Sequence, residues 1–397
     1  MSNTGKKHFR AATLCGGGAR AVSPLPGFIL ACEQVGFEPE VVVGMSGAFL
    51  ATILKRAGYK GPFIARLTTE TPFISLLTRK ASIWGLIKAE LFRRIYEHNP
   101  PRHGAFGSHR FGIFFSRMVP KMPKGCVTLA VAAKESTNMP ILFTDKAVHR
   151  GKFNDEGKFI GAYELISNSA APVDVIVRSV PAIPGVLESI TWDTPEQDKQ
   201  FILYDGGIGP EGHCVISPLL SLYGMERETI VAFDVGEDKP NLLTWLQDRV
   251  YKFFCDECYF PRSPEQQIEG ITVVSPKIRG ISSLQFKVGE YLKLWAILTG
   301  YDATMQVFHD AGWETPSTWK LVMAEASALH QKTRWERKLD QFFQRFGLRL
   351  PFFTYVKRMK ELLARHGMYE LGPSEAWSRA QDILGDVNSG RYDSEYA

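Results

Sequence analysis

Three short apolar runs each end in a tight, glycine-bearing turn, and this constrains the fold more than any other feature of the chain. Ala11 to Leu14 runs into Gly16-Gly17-Gly18-Ala19-Arg20. Val41 to Val43 runs into Gly44-Met45-Ser46-Gly47-Ala48. Phe201 to Tyr204 runs into Asp205-Gly206-Gly207. Consecutive apolar residues without polar alternation are what strands buried on both faces require. Further runs stand at Val127 to Ala132, Thr229 to Phe233 and Ile271 to Val274, with helical patterns such as Phe28 to Val35 and Ala48 to Ala57 between some of them. This alternation predicts an α/β sheet with helices on both faces. From about Ser283 the strand signals stop. Amphipathic stretches follow at Val288 to Leu298, Pro316 to Gln344 and Thr354 to Ala364. The expected division is an α/β domain over residues 1–282 and a mostly helical, basic region over residues 283–397.

At 397 residues, 45% hydrophobic and 22% charged, the chain has the apolar material for a sizeable core and falls outside the disordered and collagen-like classes. Its best candidate for a membrane span, Val41 to Leu54, carries Ser46, Thr52 and two glycines and is shorter than the ~18 apolar residues a span needs. The polar, basic N-terminus has no apolar leader core, and six cysteines are too few for a disulfide scaffold. The expectation is reduced thiols and a cytoplasmic protein, at most peripheral on membranes. The net charge of +5 is uneven: residues 331–367 hold ten Lys and Arg against three acids, and the rest of the chain nets −2.

Each turn has a chemical reading and a plainer one. Glycines let backbone N–H groups approach a ligand, so Gly16-Gly17-Gly18 suits a phosphate or a developing oxyanion. The loop also fits a loose dinucleotide pattern, but Val41 to Val43 ends in no acidic residue for a ribose, and no Gly-Lys-Ser/Thr follows for a phosphate loop. The plainer reading is a strand-to-helix turn. Ser46, between a strand and a helical run and beside Gly44 and Gly47, has the setting of a nucleophile elbow, or else of an N-cap serine. Asp205 reads as a carboxylate at the carboxyl end of a parallel strand, on the rim where α/β sheets bind ligands, or else as an Asp-Gly turn. Together the three supply a nucleophile, a base and oxyanion donors.

At these residues the sequence resembles the patatin-like phospholipases. Gly16-Gly17-Gly18-Ala19-Arg20 resembles their oxyanion loop, Gly44-Met45-Ser46-Gly47-Ala48 their Gly-x-Ser-x-Gly elbow, and Asp205-Gly206-Gly207 their Asp-Gly-Gly/Ala. Arg178 to Val186 is similar to the segment ahead of the Asp-Gly strand, and Val127 to Asp145 to the central strand pair. The resemblance runs from about Phe9 to Gly236. It implies a three-layer α/β/α domain and hydrolysis of acyl esters, usually of phospholipids. In that reading Ser46 is the nucleophile, Asp205 takes its proton, and the amides of Gly16, Gly17 and Gly18 hold the oxyanion, with no metal and no cofactor. Three departures stand out. Ala48 replaces the second elbow glycine. Pro24 and Pro26 delay the next helix to near Pro26. Ile208 to His213 stands where the family has Asn-x-Pro.

Arg20 has two readings, steering an anionic head group or fixing the loop. His213 reads as a loop histidine and Arg178 as a structural tie. Cys255-Asp256-Glu257-Cys258 lacks the second pair of ligands a zinc site needs. Cys15 reads as a small buried residue. From Arg334 to Ala364, Lys and Arg alternate with Trp335, Phe342, Phe343, Phe346, Phe352, Phe353 and Tyr355. That mixture suits an anionic membrane surface, or helices that bury their aromatics and keep their charge in water. No motif points to nucleic acid. Residues 61–125 are basic, partly helical and without an assigned role, and one reading has them cover the site. Two other functions fit the same residues: an esterase or thioesterase of soluble acyl substrates, and a non-catalytic lipid-binding or interaction module.

Overall fold

The structure, a computed structural model, describes residues 6–80, 104–134, 137–194, 199–236, 268–283, 285, 287–345 and 353–392. Its strands are β1 (Ala11–Leu14), β2 (Val41–Gly44), β3 (Thr78–Arg79), β4 (Phe106–Gly107), β5 (Cys126–Lys134), β6 (Thr137–Phe143), β7 (Val148–Phe153), β8 (Phe159–Ser167), β9 (Ile190–Thr194), β10 (Lys199–Asp205), β11 (Ile230–Phe233) and β12 (Thr272–Val274). β3 and β4 form a separate ribbon; the other ten share one mixed sheet in the order β12-β11-β1-β2-β5-β6-β7-β8, with β10 on β5 and β9 on β10. The neighbours from β12 to β5 are parallel. From β5 to β8 they are antiparallel hairpins. β1 and β2 are buried at every residue, as unbroken apolar runs require.

One mismatch in strand length builds the site. β2 has four residues and β5 has nine, so β5 outruns it. β2 pairs with β5 only from Val42↔Cys126 to Gly44↔Thr128. The overhang takes β10 in antiparallel register, with Leu203 opposite Ala132 and Asp205 opposite Ala130. β6 fills the other edge of β5 from Thr128 to Lys134, so β10 lies on the β2 side. The two strands therefore share one lane and meet carboxyl end to carboxyl end. This corrects the expectation that Asp205 ends a parallel strand: it reaches the rim from the opposite direction.

Strand alternation divides the core between two faces. Ala12, Leu14 and Val42 pack with Phe28, Phe49, Ile53 and Phe114 of the helices Leu25–Val35, Ala48–Arg56 and His109–Met118. Ala11, Val41 and Val43 pack with Tyr204, Val215 and Leu219, the last on the short helix Ser217–Ser221. The architecture is three-layer α/β/α, followed by the helices Glu290–Asp310, Thr318–Lys332, Arg334–Arg345, Tyr355–Arg365 and Glu375–Asn388. The single stretch expected over Pro316 to Gln344 is two helices, which part at Thr333. Cys15, Cys32, Cys126 and Cys214 are buried; burial pushes the thiols of Cys32 and Cys126 up, away from the reactive thiolate. Among the described residues no helix is long and apolar enough to cross a membrane.

Helix Glu290–Asp310 crosses Leu25–Val35 in backbone contact. A Cβ on Gly27 would stand 2.0 Å from the Ile297 carbonyl oxygen, and one on Gly300 would stand 2.3 Å from that of Pro24. Gly300→Val is therefore expected to lower the unfolding free energy by about 2–3 kcal/mol, read as a lower urea midpoint. An unchanged midpoint would mean that the helices do not cross there.

Candidate active site

Ser46 sits on the sharp turn between β2 and helix Ala48–Arg56. It is the one non-glycine residue with positive φ (51°) among the described residues. That conformation is strained for an L-residue and persists only where the surroundings impose it. Here the Met45 amide donates to Leu14 O at 3.0 Å, and the Ala48 amide to Met45 O at 3.0 Å. Thr128 Oγ1 donates to Gly44 O at 2.6 Å, fastening the end of β2 to β5. The flanking glycines are required by space. A Cβ on Gly44 would lie 2.8 Å from Phe49 Cα, and one on Gly47 would lie 2.7 Å from Val22 Cγ2 and 3.0 Å from Gly18 O. Ala48, the departure from the elbow pattern, is the first residue of the helix and buries its methyl group.

The meeting of β2 and β10 brings Ser46 to Asp205. Ser46 Oγ donates directly to Asp205 Oδ2 at 2.6 Å, with no imidazole between them. The Gly207 amide donates to Oδ1 at 2.8 Å. Both residues are 4% exposed. Burial raises the Asp205 carboxyl from 3.8 to about 6, against the opposing pull of the Ser46 and Gly207 hydrogen bonds. The His213 ring lies beside the pair, against Gly207 and Gly16: a Cβ on Gly207 would be 3.0 Å from its Nδ1. Below, Glu211 is fully buried and accepts from the Tyr163 hydroxyl at 2.8 Å. Glu211 lies in the segment that departs from Asn-x-Pro, and Tyr163 reaches it from β8.

The glycine loop packs on the elbow, with a Cβ position on Gly16 only 3.3 Å from Ser46 Cβ. Its three amides are not equivalent. The Gly16 amide is committed to His213 O at 2.9 Å, so it differs from the expected trio of oxyanion donors. The Ala19 amide is committed to Ser283 O at 2.9 Å, while the amides of Gly17 and Gly18 donate to no carbonyl among the described residues. Gly18 has φ 53° and opens the one-turn helix Gly18–Val22. The longer helix begins at Leu25, with Pro26 in its first turn. Buried Arg20 donates from Nη1 to Ile281 O at 3.2 Å, which ties the loop to residues 281–283. A Cβ on Gly18 would stand 2.2 Å from Ser283 O. For the acyl transfer that the patatin-like resemblance implies, Gly18→Ala is expected to displace that contact and the amide with it, lowering turnover by about 10²-fold. Steady-state acyl release reads this, and full activity would exclude Gly18 as a donor.

A cavity of about 820 Å³, open mouth included, reaches Ser46. Its wall is mainly apolar: Val22, Leu50, Phe73, Leu77, Phe111 and Ile183. Part of the region expected to cover the site does line it, through Thr68, Phe73, Leu77 and Phe111; residues 81–103 lie outside the described residues, as do Cys255 and Cys258. Arg178 is an ion-pair partner of Glu188 at 3.5 Å. The sequence reading missed Lys293. It lines the cavity, is buried, and donates from Nζ to Thr68 O at 2.8 Å and to Thr69 O and Thr71 O at 3.3 Å. Burial lowers its pKa to about 8. A signal was present, because Lys293 shares the inward helical face of Ala296 and Ile297, where a lone lysine needs buried partners.

No family model matches the chain. No curated protein matches it either. Among solved structures it is similar to VipD from Legionella pneumophila, with 12% identity and a TM-score of 0.40 over 99% of this chain and 88% of that one. It is also similar to human GIVD cytosolic phospholipase A2, with 12% identity and a TM-score of 0.34 over 77% and 63%. A third similar structure is the type III effector protein ExoU, with 10% identity and a TM-score of 0.34 over 96% and 69%. At such identities and scores the chemistry has to be read from the site's own geometry.

Proposed function

We propose that this chain is a serine acyl hydrolase of the phospholipase A type, cleaving acyl esters through Ser46 and Asp205. The observation that carries the reading is the 2.6 Å hydrogen bond from the Ser46 hydroxyl to a buried carboxylate. A serine hydroxyl is a poor nucleophile until a base takes its proton. An ordinary aspartate is a weak base, and burial makes this one stronger. In the proposed sequence Asp205 accepts the hydroxyl proton as Ser46 Oγ bonds to the ester carbonyl carbon. The amides of Gly17 and Gly18 stabilise the oxyanion. Asp205 then returns the proton to the departing alcohol, leaving the acyl group on Ser46. Water, deprotonated by Asp205, releases the acid by the same steps in reverse. The apolar wall from Val22 to Ile183 suits an acyl chain, which points to lipid esters. In this reading residues 1–282 carry the chemistry, and residues 283–397 close the acyl cavity through Val288 and Lys293.

The test is mass spectrometry of the products from mixed phospholipid vesicles, with short-chain soluble esters in parallel. The expected result is free fatty acid from the vesicles and covalent labelling of Ser46 by a fluorophosphonate. Folded protein that neither labels nor releases acid would refute the hydrolase. Faster turnover of the soluble esters would move the substrate away from lipids.

A further inference from the structure

Helix Arg334–Arg345 is turned inside out. A helix packed on a protein body ordinarily buries its apolar residues and leaves the charged ones in water. Here the inward positions are polar. Asp340 is buried and accepts from the Tyr355 hydroxyl. Glu336 pairs with Arg358 at 3.4 Å. Arg337 stands 4.9 Å over the Tyr291 ring and donates from Nη2 to His330 O at 2.7 Å. The outward positions are apolar: Trp335 is 72% exposed, Leu339 49% and Phe342 54%. Their spacing of four and three residues puts them in one stripe along the helix.

Charge follows the same division. Of the three acids between residues 331 and 367, Asp340 points inward, Glu336 is paired, and Glu361 is paired with Lys357 at 3.9 Å. Arg334 and Lys338 are exposed beside the stripe, and no acid pairs with either among the described residues. Lys338 Nζ lies 5.0 Å from the Trp335 ring. The face is therefore apolar at its centre and basic along one margin, with a tryptophan in the stripe. An anionic lipid surface complements all three properties: acyl chains for the apolar stripe, head groups for the cations, and the boundary between them for the indole.

We propose that this face docks on an anionic lipid bilayer, with Trp335, Leu339 and Phe342 entering the head-group boundary and Arg334 and Lys338 meeting anionic head groups. Three side chains make a modest, reversible contact. The docking helix is braced on the body through Arg337 over the Tyr291 ring, two residues before the cavity-lining Lys293. The proposal does not need the hydrolytic reading to hold.

The experiment uses full-length Ser46→Ala protein, which separates binding from turnover. Flotation with vesicles of phosphatidylcholine, alone or mixed with phosphatidylserine, is expected to show binding only to the mixture, weakening as salt rises. Trp335→Ser with Leu339→Ser is expected to weaken the partition about tenfold or more at an unchanged melting temperature, since both side chains are exposed. Arg334→Glu with Lys338→Glu is expected to abolish the preference for phosphatidylserine. Undiminished flotation of the serine variant would overturn the proposal. So would equal binding to neutral vesicles, or a dimer in solution that Trp335→Ser dissociates, which would identify a second copy as the occupant of the face.

Discussion

With Ser46 replaced by alanine, acyl release is expected to fall by a factor on the order of 10⁴ or more. The cavity and the Gly17 and Gly18 amides survive the change, so substrate still binds and only the bond-forming atom is gone. Stability separates the roles of side chain and backbone. Alanine keeps the strain of φ 51° and leaves Asp205 Oδ2 without the hydroxyl that donates to it. Ser46→Ala is therefore expected to unfold slightly more easily than the wild type. Ser46→Gly loses the same hydroxyl but relieves the strain, which is worth about 1 kcal/mol. The glycine variant should be equally inactive and more stable than the alanine variant. Fatty-acid release from vesicles and urea unfolding measure the two effects. Turnover near the wild-type rate in either variant would remove Ser46 from the chemistry.

The parts of this site that depend on local sterics were legible in the sequence. Gly44 has to be small because the elbow folds onto its own helix at Phe49 and Thr52, within a few residues of Ser46, whereas Gly47 is crowded by Val22 and Gly18 from the distant glycine loop. The strands β1, β2, β10, β11 and β12 announced themselves as unbroken apolar runs. β7 and β8 did not, because they are partly open to solvent and carry charged residues, and Ile160 and Leu165 lie exposed on β8. The direction of β10 was not legible either. An apolar run carries no arrow, and the overhang of β5 beyond β2 sets it. Long-range commitments were hidden for the same reason. The Gly16 amide is taken by a carbonyl from the loop after β10, and Ser283, far along the chain, takes the amide of Ala19. Charge composition marked the C-terminal region as basic, yet whether Trp335 or Tyr355 faces water depends on which side of each helix meets Tyr291.

Asp205→Asn is expected to move activity and stability in opposite directions. The carboxyl has to be ionised to take the Ser46 proton, and it titrates at about 6. Turnover in the wild type should rise about tenfold per pH unit below that value and level off above it. Asparagine is nearly the same shape and still accepts from the Gly207 amide, but it offers no base, and a loss of about 10³-fold or more is expected. The stability effect follows from the same burial. Between 3.8, the ordinary value, and about 6, the unfolded chain releases the Asp205 proton while the folded chain keeps it. The stability present below the lower value is lost as pH rises through the upper one. Above it, holding a buried carboxylate costs the folded state about 3 kcal/mol, to order of magnitude. Asparagine avoids that cost, so the variant should resist urea better than the wild type at neutral pH, and its advantage should vanish near pH 4. Urea midpoints at the two pH values, beside the pH profile of turnover, decide the matter. An Asp205→Asn enzyme that keeps its rate, with a limb still near 6, would assign that limb to another group. A variant less stable than the wild type at neutral pH would mean that the carboxylate is solvated or paired in the folded protein, and that the base strength proposed for it is absent.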